Sequence, residues 1–349
     1  MRSLCSESAF FRMSSVQPTS RLRRLPLVTL YLTERCNSRC VTCDYWRHGR
    51  VDASLDFVQR LLPSLVSLNT RVALISGGEP LLNPQWQEIA GVLKGVGIRP
   101  WLLTSGLSLA KHAERVSGLF DAVTVSLDGT NARTYQAIRG LDAFDKVSEG
   151  IRAAVAAGSK VGLRVTLQRA NYKELALFVE LAHRLGVHHI SFLAVDVANP
   201  HAFGRTEDFG SDLALDVDDL AAFGDLIAQL EAHSSADFES RFIAESPAKL
   251  RRLQQYFAAV MGRAPYPAVR CNAPEFSAVV GVKGAVQPCF FITGPAAVTA
   301  NDTNLETVLN QPAMMDLRDS IRAGKRPECV GCVCSLYRDP GNVDEQLLP

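Results

Sequence analysis

No run of this chain reaches the roughly 18 apolar residues that a membrane-spanning helix needs. There is no excess of one charge either: Lys and Arg total 37 against 36 for Asp and Glu, spread without a basic block that would track a phosphate backbone. A helical membrane protein and a nucleic-acid binder are both excluded as readings. The first 26 residues are polar with scattered Arg and lack the continuous apolar core of an export signal, so 1–26 reads as a flexible tail and the protein as cytoplasmic. Without export, the nine cysteines do not make a disulfide framework. Apart from Cys5 they fall into two groups, which points to metal binding.

A chain of 349 residues with 47% hydrophobic content can bury one large core and a smaller one. From "LVTLYLT" at 27 to "HHISFLAV" at 188, short runs rich in Val, Ile and Leu alternate with segments of helical spacing. The spacing predicts strands near 27–32, 71–76, 99–104, 122–126, 161–167 and 189–195. Helical candidates between them include "LDFVQRLLPSLVSL", "PQWQEIAGVLKGVG" and "YKELALFVELAHRLG". Such alternation implies a parallel sheet with right-handed crossovers, and the near-continuous apolar strands imply burial on both faces. Periodicity alone allows an incomplete (β/α) barrel or a doubly wound sheet.

After residue 195 the rhythm stops. "DVANPHAFGRTEDFGSD" reads as a loop, and "DVDDLAAFGDLIAQLEAH" and "SPAKLRRLQQYFAAVMG" as two helices, so 196–264 is a loop and helical connector. It is expected to cover the open side of the sheet or to line part of a cavity. From 265 to 349 the chain turns to short strands, "FSAVVGV" and "GAVQPCFF", joined through Lys283 and Gly284 like a hairpin. The second cysteine group surrounds them, which suggests a small appended α+β domain.

The first group, "ERCNSRCVTC", places Cys36, Cys40 and Cys43 just after the first strand, where parallel β/α folds build their active sites. A structural zinc site takes four ligands, and no fourth Cys or His follows at ribbon spacing apart from His48. Three thiolates on a 4Fe-4S cluster leave one iron open for another molecule to bind.

C-x3-C-x2-C in this position resembles the radical S-adenosylmethionine (radical SAM) superfamily. The resemblance implies a partial (β/α)6 TIM-like barrel over 27–195. It also implies a 4Fe-4S cluster on Cys36, Cys40 and Cys43, with the amino and carboxylate groups of S-adenosylmethionine on the open iron. Reductive cleavage of that cofactor yields a 5'-deoxyadenosyl radical that abstracts a substrate hydrogen. The residue before the third cysteine, often aromatic in the family, is Thr42 here. "SGGEP", with Gly77, Gly78, Glu79 and Pro80, stands where the family holds the methionyl amine, and the glycines allow close backbone approach. By the same resemblance "LLTSG" and "VSLDG" present Thr104, Ser105, Ser126 and Asp128 to the ribose or the methionyl carboxylate, and "YQAIRG" offers Arg139 as a carboxylate partner. Taken singly these residues have plainer roles: GGEP is a common turn, and Ser126 and Asp128 could cap the helix that starts near Asn131.

In the second group seventeen residues separate Cys271 from Cys289, and "CVGCVC" supplies Cys329, Cys332 and Cys334. The pattern resembles the twitch domain, the shortened relative of the SPASM domain, and implies one auxiliary 4Fe-4S cluster. A zinc knuckle on four of the same thiolates is the alternative. Cys271, Cys289, Cys329 and Cys332 are the expected ligands, because the step to Cys334 is cramped. A closed cluster carries electrons without holding substrate, which implies a two-electron oxidation: a dehydrogenation or an oxidative bond formation on a small polar metabolite or a peptide. The electron donor would be a flavodoxin or a ferredoxin. Likeness to the molybdenum cofactor enzyme that rearranges GTP is limited to layout, since the chain ends "EQLLP" without the paired glycines usual there. A non-enzymatic iron-sulfur or zinc carrier would keep the cysteines but need no cofactor pocket, and the strand-end residues argue against it.

Overall fold

The computed structural model describes residues 20–197, 199, 202–205, 211–295, 300, 304–334 and 336–343; Cys5 and the "EQLLP" terminus lie outside them. Six strands follow the expected rhythm: β1 (Leu27–Thr33), β2 (Val72–Gly77), β3 (Arg99–Thr104), β4 (Ala122–Ser126), β5 (Val161–Leu167) and β6 (His189–Ala194). All pair in parallel, in the order β6-β5-β4-β3-β2-β1. Side chains alternate across each strand. Val28, Leu30, Ile75, Leu102, Val123, Val125, Leu163, Val165, Ile190 and Phe192 are fully buried in the core shared with the helices. Tyr31, Leu74, Trp101, Thr124, Ser126, Arg164, Thr166 and Leu193 occupy the opposite, inner face and are only half-buried.

Two more strands extend this sheet. β7 (Ser277–Val280) pairs in parallel with the outer edge of β1, and β8 (Val286–Gln287) pairs antiparallel with β7. The turn between them is pinned by Gly281 N–H on Ala285 O at 2.9 Å, with Gly284 at φ 79°. The C-terminal hairpin is therefore not a sheet of its own, because the open edge of β1 presents unpaired amides and carbonyls that β7 satisfies. Among the described residues β6 and β8 are the two sheet edges and do not pair, so the half-barrel stays open.

The connector protects the β6 edge. Ile190 N–H donates to Phe242 O at 2.7 Å, Ala244 N–H to Ile190 O at 2.9 Å, and Phe192 N–H to the Glu245 carboxylate at 2.7 Å. Two helices flank that segment, Val217–His233, started by a capping box on Asp216 and Asp219, and Pro247–Val260, capped by Ser246. Residues 20–26 are not a loose tail. Leu22 and Leu25 are buried, Leu22 exchanges two backbone bonds with the Asn310 side chain at 2.7 and 2.9 Å, and Arg318 Nε donates to Ser20 O at 2.7 Å. Apolar residues spaced among the arginines found a docking surface on the C-terminal helices, which composition alone did not show.

Candidate active site

The three-cysteine loop leaves β1 and is clamped on two sides. Arg39 N–H and Val41 N–H donate to the carbonyls of Arg139 and Ile138 at 3.0 Å each, at the end of the Ala132–Arg139 helix. That helix starts on Asn131, whose side chain accepts from Thr134 N–H, so Ser126 and Asp128 do not cap it. It stops at Gly140, where φ is 73° and an added Cβ would lie 2.3 Å from Arg39 O. Only glycine suits both the left-handed turn and the close approach. On the other side Phe203 O accepts from Asp44 N–H at 3.1 Å and from the Cys43 thiol at 3.4 Å.

"GGEP" lies against the same loop. Gly78 N–H donates to Thr33 O and Glu79 N–H to Arg35 O, both at 2.8 Å. A Cβ on Gly77 or Gly78 would meet Thr33 O at 2.5 Å or Arg35 O at 2.1 Å. The close approach the glycines allow is thus to the backbone that leads into the cysteines. Pro80 opens a single 3-10 turn, Pro80–Leu82, with Glu79 as its cap. The fully buried Glu79 carboxylate accepts from Thr104 Oγ1 at 2.8 Å, Ser105 N–H at 2.7 Å, Ser105 Oγ at 2.6 Å and Leu81 N–H at 3.2 Å. Ser105 Oγ also stands 3.1 Å from Asn37 Oδ1, inside the cysteine loop. Glu79, Thr104 and Ser105 therefore weld the ends of β2 and β3 to each other and to Asn37. Asn37 escaped the sequence reading, though a short polar residue between two cysteines was the available signal.

Both carboxylate oxygens of Asp128 are engaged within the protein. Its carboxylate accepts from Thr166 N–H at 2.7 Å and from Arg139 Nη1 at 3.1 Å. Burial pushes its pKa up, while Arg139 and the Thr166 amide pull it back. Burial opposes the charge on Arg139, but Cys40 and Asp128 outweigh it and hold the guanidinium protonated. Arg139 Nε is buried without a hydrogen-bond partner. Ser126 is half-buried on the inner face, and its hydroxyl has no partner among the described residues.

Cys36, Cys40 and Cys43 are free thiols on half-buried residues. Burial raises all three, Cys36 to about 11 and Cys43 to about 12; nearby cysteines push those two further up, and Asp128 does so for Cys40. Ser38 N–H donates to Cys36 Sγ at 3.4 Å, a contact that suits a thiolate bound to metal. Three soft sulfurs on one loop, with a buried cation beside them, fit the three-thiolate holder of an iron-sulfur cluster.

The second group lies along the opposite end of β1. Cys271, Cys289, Cys329, Cys332 and Cys334 all line one apolar cavity of about 90 Å³, walled also by Leu27, Thr29, Val279 and Phe290. Burial raises Cys289 and Cys334 to about 12 and Cys329 to about 11, and both Cys332 and Cys271 add to each of these shifts. Zinc draws four ligands to about 2.3 Å of one point. Among the described residues the five thiols ring the cavity, a donor set that either zinc or an iron-sulfur cluster can use. Between the two groups stands Tyr31, its ring 5.8 Å from that of Tyr45 and 6.3 Å from that of Phe290, the neighbour of Cys289. No helix among the described residues is long and apolar enough to cross a membrane.

Residues 30–195 match the family model of the Radical SAM superfamily. The chain is 36% identical over 179 residues to GTP 3',8-cyclase of Klebsiella pneumoniae, covering 48% of this chain and 54% of that protein. It is 33% identical over 177 residues to a probable GTP 3',8-cyclase of Saccharolobus islandicus, covering 49% and 57%. The chain thus spans about half the length of the curated relatives it matches. Its fold is similar to that of Streptococcus suis SuiB bound to S-adenosylmethionine, with a TM-score of 0.63 at 15% identity over 91% of this chain and 74% of that one. It is also similar to anSMEcpe with bound AdoMet and the Cp18Cys peptide, with a TM-score of 0.60 at 16% identity over 83% and 82%. At these identities the likeness is one of fold.

Proposed function

We propose, from the radical SAM domain that residues 30–195 of this chain form, that the protein is an enzyme that uses a 4Fe-4S cluster and S-adenosylmethionine to abstract a hydrogen atom from its substrate. One observation carries the reading: Cys36, Cys40 and Cys43 sit on a loop that is hydrogen-bonded at once to the ends of β2 and β3 and to the helix after β4. Bound there, a reduced cluster supplies the electron that cleaves the sulfonium. The chain's own residues hold and orient. Ser126 Oγ and Arg139 Nε have unused donors for the methionyl or ribose groups. Gly77, Gly78, Glu79, Pro80, Thr104, Ser105 and Asp128 shape the ledge on which those donors stand. Anaerobic reconstitution followed by dithionite and S-adenosylmethionine is expected to release 5'-deoxyadenosine. A fully loaded protein that releases none sinks the reading and leaves an iron-sulfur carrier.

The five C-terminal thiols support a second cluster, with Cys271, Cys289, Cys329 and Cys332 as its ligands. A cluster closed by four thiolates takes up an electron without holding substrate, which favours a net two-electron oxidation of a small polar metabolite. A peptide substrate is the second reading: the related fold of anSMEcpe holds the Cp18Cys peptide. The likeness to GTP 3',8-cyclases covers only about half of each chain, so GTP is not carried over as the substrate. A soluble reductant of the flavodoxin or ferredoxin kind would supply electrons.

A further inference from the structure

Tyr31 is half-buried on the inner face of β1, and register sets it beside Ser76 of β2, just before Gly77 and Gly78. Its ring meets that of Tyr45 edge-on, with centroids 5.8 Å apart and planes at 80°, and lies 6.3 Å from the ring of Phe290. The two tyrosine hydroxyls share a hydrogen bond. Tyr45 comes two residues after Cys43, and its ring is seated against Gly204, where φ is 71° and an added Cβ would stand 3.0 Å from Tyr45 Cδ1. Phe290 follows Cys289 and walls the cavity that the five C-terminal thiols ring. Tyr31 feels both Cys43 and Cys289, so this one side chain stands within electrostatic reach of both cysteine groups. Burial lifts its phenol well above the ordinary range and keeps it protonated. A phenylalanine would fill the same space; the hydroxyl adds a hydrogen atom that can be given away, and the ring delocalises the unpaired electron left behind.

We propose that Tyr31 is a redox-active residue: it gives a hydrogen atom to a 5'-deoxyadenosyl radical formed without substrate, and an electron from the second cysteine group restores it. The inference rests on the radical SAM reading. In the first step the phenolic O–H bond breaks and a C–H bond forms at the 5' carbon, which yields 5'-deoxyadenosine and a neutral Tyr31 phenoxyl radical. The exchange runs downhill because a phenolic O–H bond is weaker than the C–H bond of a primary carbon. In the second step one electron from the reduced iron-sulfur cluster of the second group enters on the Phe290 side, and one proton from water enters through the Tyr45 hydroxyl, which remakes the phenol. The second cluster is oxidised by that one electron, and the soluble reductant reduces it again. A bound substrate offers its own hydrogen to the radical first, so this path serves turnovers in which the chamber is empty.

The test uses the holoprotein with both clusters reconstituted, given S-adenosylmethionine and dithionite anaerobically in heavy water without substrate. Mass spectrometry reads the deuterium in the released 5'-deoxyadenosine, because phenolic hydrogen exchanges with solvent and carbon-bound hydrogen does not. The parent is expected to release mostly singly deuterated product, and Tyr31→Phe, which keeps the ring packing, at least tenfold less of it relative to total 5'-deoxyadenosine. Freeze-quenched Cys332→Ala, with its second group empty, is expected to show a tyrosyl radical by electron paramagnetic resonance that disappears when Tyr31→Phe is added. Deuterium at the parent level in Tyr31→Phe overturns the proposal. So does a loss of deuterium in Tyr45→Phe alone, which makes Tyr45 the donor. An absent tyrosyl signal in Cys332→Ala, with deuterium transfer intact, overturns restoration from the second group. Parent 5'-deoxyadenosine free of deuterium overturns the proposal and leaves the radical SAM reading standing, whereas a fully loaded protein that releases none overturns both.

Discussion

Arg139 donates through Nη1 to Asp128 Oδ2 across 3.1 Å, with only 12% and 4% of the two side chains exposed. This ion pair joins the end of β4 to the helix terminus whose carbonyls hold Arg39 and Val41 of the cysteine loop. Asp128 had been expected to contact the cofactor. We propose that it acts by fixing Arg139 and, through it, the loop.

Removing one partner of a buried pair leaves the other charge uncompensated, at a cost of about 3–5 kcal/mol. Asp128→Ala is therefore expected to lower the unfolding free energy, read from a urea titration, by that much and to load less iron on the first cysteine group. A variant with parent stability that lost only S-adenosylmethionine affinity would return Asp128 to the cofactor.

Ser126→Ala is expected to do the reverse. Its hydroxyl has no partner among the described residues, so stability should stay within roughly 0.5 kcal/mol of the parent, while cofactor affinity falls by about 1–3 kcal/mol through loss of a bond to a charged group. Isothermal titration beside a denaturation curve separates the two. A Tm loss with unchanged affinity would refute the assignment.

Replacing Cys36, Cys40 and Cys43 together by Ala should abolish 5'-deoxyadenosine release and leave the iron bound by the second group. Cys332→Ala should empty that second group, whereas Cys334→Ala should retain it. Iron and sulfide analysis with electron paramagnetic resonance on each variant reads the outcome, and loss of the second cluster in Cys334→Ala would move the ligand set.

Gly78→Ala and Gly91→Ala form a matched pair. The first puts a Cβ 2.1 Å from the Arg35 carbonyl, which is backbone and cannot turn aside, so a large Tm loss and a displaced cysteine loop are expected. The second meets nothing within 4 Å inside the Trp86–Gly95 helix and should stabilise by about 0.5–1 kcal/mol. Thermal melts of both variants check the contrast.

The sequence by itself determined the six parallel strands, the position of Cys36, Cys40 and Cys43 after β1, and the grouping of the other cysteines. Each of these follows from local pattern: apolar runs bounded by turns, and soft ligands at short spacing. Spacing could not say which polar groups the fold itself would use. Glu79 and Asp128 looked available because their partners Thr104, Ser105, Thr166 and Arg139 lie 11 to 38 residues away and meet them only across the sheet. The same holds for β7, whose pairing with β1 joins residues some 250 apart, and for Leu22, tied to Asn310 across 288 positions. Alternation puts a side chain on a face, but only tertiary pairing decides what stands beside it.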